Sequence, residues 1–310
     1  MELSVIIVTY NSARHIKPCL DSVIKSSQGL RYEIIIVDNN STDNSTEIVK
    51  DGYPKVCLLA NKHNLGFAKA VNQGIKASQG DYILLINPDM VVLDQAVVKC
   101  LRYAQNKVKR GIVGIQYLDQ DYNIQPSFGN YPTSLTEFFQ ATYLYKILPF
   151  GRNVPYRIWW RRWFKDTLEV DWVAGGFMLF SRETLAKVGL LDEKIFMYIE
   201  DIDYCRRVKA EGWPVIYYPA ARVIHHHLGS APADYSVTVM RVIEALLYYF
   251  NKYDQETNYL AKFVRLHLIL QLVRYTLVYP FSKKGKELRL AYLKALRETK
   301  KLFHENTTGQ

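Results

Sequence analysis

Leu3-Ser4-Val5-Ile6-Ile7-Val8-Thr9-Tyr10-Asn11 opens the chain with a near-continuous apolar run that turns polar at its end. Such a run suits a strand buried on both faces of a parallel sheet, whereas a half-exposed antiparallel strand would alternate. Residues 33–37, 56–59 and 82–86 repeat the pattern, with helical patterns at 13–26, after Ser41, and at 66–77 between them. This βαβ alternation predicts an open α/β sheet. In such sheets ligands sit beyond the carboxyl ends of the strands, and four of those ends turn polar here: Thr9-Tyr10-Asn11, Asp38-Asn39-Asn40-Ser41, residues 61–66 and Asn87-Pro88-Asp89.

The chain has 310 residues, enough for one large domain with an appendage or for two domains. With 49% hydrophobic and 23% charged residues it is an ordinary globular chain, not a disordered or fibrous one. Its charge of +10 suits a polyanion, a phosphorylated ligand or an anionic membrane face. The four cysteines are too scattered for a CxxC unit and too few for a disulfide framework, so a reducing cytosol is expected. The first ten residues lack a basic leader and a cleavage site, so no signal peptide is expected. The longest apolar stretch, 259–281, is broken by Lys262, Arg265, His267 and Arg274. That makes a poor bilayer span but suits an amphipathic helix on a membrane surface or against a protein core. From Asp234 onward the pattern is helical, with Val237, Met240, Ile243, Leu247 and Phe250 on one face and thirteen Lys and Arg against seven Asp and Glu.

Several clusters could carry chemistry. Asn87-Pro88-Asp89 projects an amide and a carboxylate from a strand terminus, where the carboxylate can hold a hard divalent cation shared with substrate phosphates, or merely close a turn. Asp38, Asn39, Ser41 and Asp43 can hydrogen-bond a base or ribose, and they are equally good helix caps. Asn64, Gly66, Phe67 and Asn72 place small and polar residues at a helix start, without the GxxxxGK[ST] or GxGxxG spacing of an NTPase or a dinucleotide oxidoreductase. On a helix Glu200 and Asp203 share a face and Asp201 points about 100° away, so one carboxylate can accept a proton while another pairs with Arg206 or Arg207. Of His225-His226-His227, neighbours on an extended chain alternate faces, so at most two can meet one site. The Trp and Arg cluster at 157–165 fits a nucleic-acid platform, a membrane-contacting loop or a lid.

Taken in order from Ser4 to Ser230, these motifs resemble the family-2 glycosyltransferases, inverting enzymes of the GT-A fold, and within them the rhamnosyltransferase-like branch. Trp172-Val173-Ala174-Gly175-Gly176 and Asp192-Glu193 belong to the same ordered set. The resemblance implies a Rossmann-like, mostly parallel sheet flanked by helices. It implies a catalytic region at 1–232, with a nucleotide-sugar half at about 1–115 and an acceptor half at about 116–232, followed by a basic amphipathic helical region at 233–310. By the same resemblance Thr9, Tyr10, Asn11, Asp38, Asn39, Ser41 and Asp43 surround the nucleotide, and Asn64, Gly66, Phe67, Asn72 and Asn87 complete its site. Asp89 stands where the family's DxD aspartate binds Mn2+ or Mg2+, with His226 as the expected histidine partner and His225 and His227 as alternates. Asn87 replaces the first aspartate of that motif. Asp201 is the implied general base, Glu200 its support, and Trp172, Gly175 and Gly176 line the acceptor or sugar pocket.

The implied reaction is an inverting transfer from a nucleotide sugar, dTDP-L-rhamnose first and a UDP-hexose or UDP-N-acetylhexosamine second. The implied acceptor is a lipid-linked glycan precursor of a bacterial surface polysaccharide. The enzyme would then work in the cytoplasm, peripherally at the inner face of the membrane and against its anionic surface. A nucleotidyltransferase would bring a glycine-rich, lysine-bearing loop after the first strand, and residues 9–20 have none. A nucleic-acid binder would explain the charge but leave Asp89 and Asp201 without a task, so no nucleic-acid partner is expected.

Overall fold

The computed structural model describes residues 1–133, 136, 164–226, 235–253, 257–279 and 281–307. Most of the Trp and Arg cluster (157–163), together with His227, Gly229 and Ser230, lies outside the described residues. Contacts divide the chain into two units. The first holds Met1–Tyr131 and the described parts of Arg157–Phe196 and Glu200–Ser230; the second holds the described parts of Pro132–Tyr156, Met197–Ile199 and Ala231–Gln310.

The first unit is built on a mixed, mostly parallel sheet. Strands β1 (Leu3–Thr9), β2 (Tyr32–Asp38), β3 (Cys57–Ala60) and β4 (Tyr82–Ile86) run parallel in the order β3-β2-β1-β4, in register Thr9↔Asp38 and Ile6↔Leu85. The sheet continues through β11 (Phe177–Ser181), β6 (Ile112–Leu118), β12 (Val215–His225) and β5 (Met90–Val92). Strand β11 is antiparallel to both neighbours, so β6 and β12 again point the same way as β4. Short β7 (Ile124–Gln125) pairs with β6, and β9 (Leu168–Glu169) pairs with β12. A separate ribbon joins β8 (Phe128–Gly129) to β10 (Trp172–Val173).

Helices α1 (Ile16–Ser26), α2 (Ser45–Gly52), α3 (Phe67–Ala77), α4 (Ala96–Tyr103), α5 (Arg182–Val188) and α6 (Glu200–Ala210) connect these strands. Ile16, Cys19, Leu20 and Val23 of α1 recur at helical spacing and pack with Val5, Ile7, Leu84 and Ile86. On the other face Ala70 of α3 meets Ile35 and Val37, and a Cβ at Gly74 would come within 2.5 Å of Ile6 Cγ2. Burial on both faces explains the continuous apolar runs. Helix α1 starts at Ile16, not at the expected residue 13, because the N–H of Ala13 is given to Asp43 and the N–H groups of His15 and Ile16 close a turn on Ser12 O.

The second unit contains three helices that pack on one another: α7 (Tyr235–Tyr253), α8 (Thr257–Leu277) and α9 (Lys283–Thr307). Met240, Ile243, Leu247 and Phe250 of α7 are buried as their spacing predicts, but Val237 is exposed. Helix α8 departs from a two-faced amphipath, since apolar side chains occupy its buried face (Val264, Leu268) and its exposed face (Ile269, Val273, Leu277) alike.

Candidate active site

The order of the parallel strands reverses between β1 and β4, and the polar strand ends gather at that carboxyl edge. At the end of β1, Thr9 donates to Asp38 at 3.0 Å, and Asp38 also accepts from the Ser41 N–H at 2.9 Å and its hydroxyl at 2.5 Å. Asn11, at φ 52, donates its N–H to Ser41 and accepts from Thr42. Burial resists the charge of Asp43, but hydrogen bonds from Ser45 and the Ala13 N–H outweigh it, leaving its pKa lowered. Asp43 therefore ties the chain before α1, at Ala13, to the first residue of α2, Ser45. Buried Asn39 ties β2 to the following loop, donating to Asn64 and Gly66 O and accepting from Leu65 and Asn61. These groups build the loop walls, while Tyr10 stands exposed beside them.

Two of the expected nucleotide contacts also hold the fold together. The buried amide of Asn72 donates to Leu191 O and Glu193 and accepts from the Leu191 N–H, so it fastens a segment far along the chain. Gly66 (φ 87) lets the chain pass Phe196, whose carbonyl accepts from the Phe67 N–H; a Cβ there would fall 2.6 Å from that oxygen. Trp172 is likewise spent on packing: its indole is buried and donates to Asn130 O.

Beyond β4, the Asn87 N–H donates to Gly176 O at 2.9 Å, and the chain turns into β5, where Met90 pairs with His225. That register puts His225 Nε2 3.5 Å from the buried Asp89 carboxylate. His226, the expected partner, contributes only its backbone N–H to Asp89 O; its ring lies against Gln120 and His15. The correction follows from the pleat, since adjacent residues on β12 face opposite ways. Gln125 holds His225 in place. Its amide NH₂ donates to His225 O, and its Oε1 lies 3.1 Å from Nδ1. Nε2 is then the ring nitrogen on the Asp89 side.

The other carboxylates stand at the start of α6. The two residues before it, Tyr198 and Ile199, have φ 71 and 67, a conformation costly for a β-branched side chain and often found at functional sites. Asp201 Oδ2 accepts from the Gly175 N–H at 2.9 Å, and a Cβ at Gly175 would approach Asp201 Cβ at 3.1 Å. Glu200 is buried, and its Oε2 has no hydrogen-bond partner among the described residues. Burial first, then the charges of Asp201 and Asp203, push it up to about 8. Asp203 is committed to Arg207 at 2.9 Å. Of the three, Asp201 is the one held beside residues 174–176.

Tyr117 links the two clusters, and no local motif marks it in the sequence. Its buried hydroxyl donates to Ala174 O at 3.1 Å and its ring meets His225 edge-on at 5.5 Å. Burial above all, then the charges of Asp201 and Asp89, hold its pKa well above the usual value. Both carboxylates therefore act on one hydroxyl, with residues 174–176 between them. A Cβ at Gly176 would lie 3.1 Å from that hydroxyl and 2.5 Å from Met90 Cε, so a larger residue there would have to push the Met90 side chain aside.

Residues 4–188 match the family model described as glycosyl transferase family 2. The chain belongs to that family. As a family-2 glycosyltransferase it falls in the rhamnosyltransferase-like branch. It is 29% identical over 246 residues to the N-acetylglucosaminyl-diphospho-decaprenol L-rhamnosyltransferase of Mycobacterium tuberculosis H37Rv, covering 75% of this chain and 78% of that one. It is 28% identical over 235 residues to the rhamnosyltransferase WbbL of Escherichia coli K12, covering 72% and 83%. Among solved structures, the mannosyltransferase PcManGT of Pyrobaculum calidifontis, in complex with GDP-Man and Mn2+, superposes with a TM-score of 0.56 at 16% identity over 96% of this chain and 86% of that one. The glycosyltransferase thus has the GT-A type of α/β fold.

Proposed function

We propose that this glycosyltransferase moves a sugar, with inversion, from a nucleotide donor to a lipid-linked saccharide, with dTDP-L-rhamnose the donor and a bacterial surface-polysaccharide precursor the acceptor. The observation that carries the chemistry is the cluster around Tyr117, with the Asp89–His225 pair on one side and the Gly175–Asp201 pair on the other. The names of both rhamnosyltransferase relatives support the sugar, and that of the mycobacterial one supports the lipid-linked acceptor.

Asp201 takes the proton from the acceptor hydroxyl as that oxygen bonds to the anomeric carbon. The bond from that carbon to the diphosphate breaks on the opposite face, and the leaving nucleoside diphosphate keeps the electron pair. The Gly175 N–H holds Asp201 Oδ2 in place through the step. Asp89 and His225 fit a cation shared with a diphosphate, and no cluster of three His, Cys, Asp or Glu suited to enclosing one occurs among the described residues. They would hold Mn2+ or Mg2+, which when bound stabilises the charge of the leaving diphosphate. Nucleotide contacts are assigned to the carboxyl edge formed by Thr9–Asn11, Asp38–Asp43 and Asn64–Phe67.

An acceptor with a polyprenyl tail sits in a bilayer, so we place the enzyme peripherally at the inner face of the membrane. No described helix is long and apolar enough to cross one. The test is a donor-hydrolysis screen with dTDP-rhamnose, UDP-glucose, UDP-N-acetylglucosamine and GDP-mannose, with and without chelator. Release of dTDP alone, lost with EDTA and in Asp89→Asn, is the expected result; release from another donor overturns the rhamnose assignment.

A further inference from the structure

We infer that the turn joining α8 to α9 is a bilayer-docking edge, in which Leu277, Val278, Tyr279 and Phe281 enter an anionic lipid surface and the following lysines meet its headgroups. This deepens the membrane placement just proposed and does not depend on which sugar is moved.

The exposed face of α8 carries Ile269, Val273 and Leu277 at four-residue spacing, exposed by 42%, 45% and 73%. Beyond the helix Val278 and Tyr279 stay exposed, and Phe281 reaches 98%. The turn itself is tightly made. Ser282 Oγ accepts from the Gly285 N–H, the Lys286 N–H closes on Ser282 O, and a Cβ at Gly285 would strike Tyr279 O at 2.3 Å. A well-capped turn that still holds its largest apolar side chains outward is a surface for something apolar, not a loosely packed corner.

Charge selects the occupant. Lys283, Lys284 and Lys286 follow Phe281 at once, and from Leu277 to Lys301 there are eight Lys and Arg against Glu287 and Glu298 alone. An apolar tip bordered by cations matches the acyl and phosphate layers of an anionic leaflet, where Tyr favours the interface and each nearby Lys adds attraction. A second copy of this chain would set like charges against each other.

The experiment is flotation of the full chain with vesicles of phosphatidylcholine, with and without phosphatidylglycerol, across a salt series. Wild type should float with the anionic vesicles. Leu277→Ser with Phe281→Ser should lower partitioning about tenfold or more at every salt concentration. Replacing Lys283, Lys284 and Lys286 with Gln should lower it chiefly at low salt and only with the anionic lipid. Phe281→Trp should give an indole fluorescence quenched by brominated lipid. Donor hydrolysis in the same variants reports that they are folded; a chain that floats but hydrolyses no donor would sink the transferase reading and leave this one standing. Wild type that stays out of anionic vesicles, serine variants that bind like wild type, an unquenched indole, or a dimer lost in Phe281→Ser would each overturn the inference.

Discussion

Adjacent carboxylates, Glu200 and Asp201, stand in different surroundings. Glu200 has no partner for Oε2 among the described residues and is pushed up to about 8 by burial and by its acidic neighbours, so it is neutral at pH 7. Asp201 accepts N–H groups from Gly175 and Ile202, which fix its orientation. Asp201→Asn should therefore reduce transfer by about 10²–10⁴-fold, and Glu200→Gln, an uncharged near-isostere, far less. The reverse ranking in steady-state kinetics would make Glu200 the base. Glu200 also leaves a mark on stability. The unfolded carboxyl releases its proton near 4.5 and the folded one near 8, so the stability it contributes is full below pH 4.5 and fades as pH rises through 8. Urea unfolding at pH 5 and pH 9 should show Glu200→Gln gaining on wild type at the higher pH by the order of a few kcal/mol. An unchanged difference between the two pH values would show that Glu200 titrates normally.

Strand β12 does for the histidines what local sequence cannot. Alternation says only that neighbours face opposite ways; the pairing of His225 with Met90 decides which of them meets Asp89. Apolar patterning alone does not carry a strand past Pro219-Ala220-Ala221. The structure instead carries β12 to His225 through a register shift between Tyr218 and Arg222. Titrating Mn2+ against donor hydrolysis should show His225→Gln needing about tenfold more metal or higher, with His226→Gln close to wild type. Equal effects would remove the distinction. The same limit governs the rest of the fold. The parallel half was legible because each of its strands is a continuous apolar run. The antiparallel strand β11 was not, since Phe177-Met178-Leu179-Phe180 reads the same whichever way its neighbours run. The partners of Asn72, 119 and 121 residues further on, leave no local trace in the sequence. The Glu200-Asp201 motif is local and can be read in sequence, whereas Tyr117 gains meaning only once Ala174 and His225 are brought to it.

Across the whole molecule, the site is assembled from segments distant in sequence: Asp89 after β4, Tyr117 on β6, residues 174–176 before β11, Asp201 on α6 and His225 at the end of β12. None of these carries enough protein ligands to hold a cation alone, so metal and nucleotide should bind as a mutually dependent pair. Linkage makes this measurable in the unfolding of the intact chain. A ligand at a hundredfold over its Kd stabilises by about 2.7 kcal/mol, which in a domain of this size raises the unfolding midpoint by several degrees. We expect dTDP and Mn2+ together to give such a rise, and either alone to give little. On the proposed reading, Asp89→Asn should remove the joint rise, because its carboxylate would be the anionic ligand the protein brings to the shared cation. Asp201→Asn should keep it, because the proposed base works on the acceptor side and not on the diphosphate. A full shift with dTDP alone would mean that backbone and side-chain donors at the carboxyl edge hold the diphosphate unaided, and Asp89 would then have no cation to share.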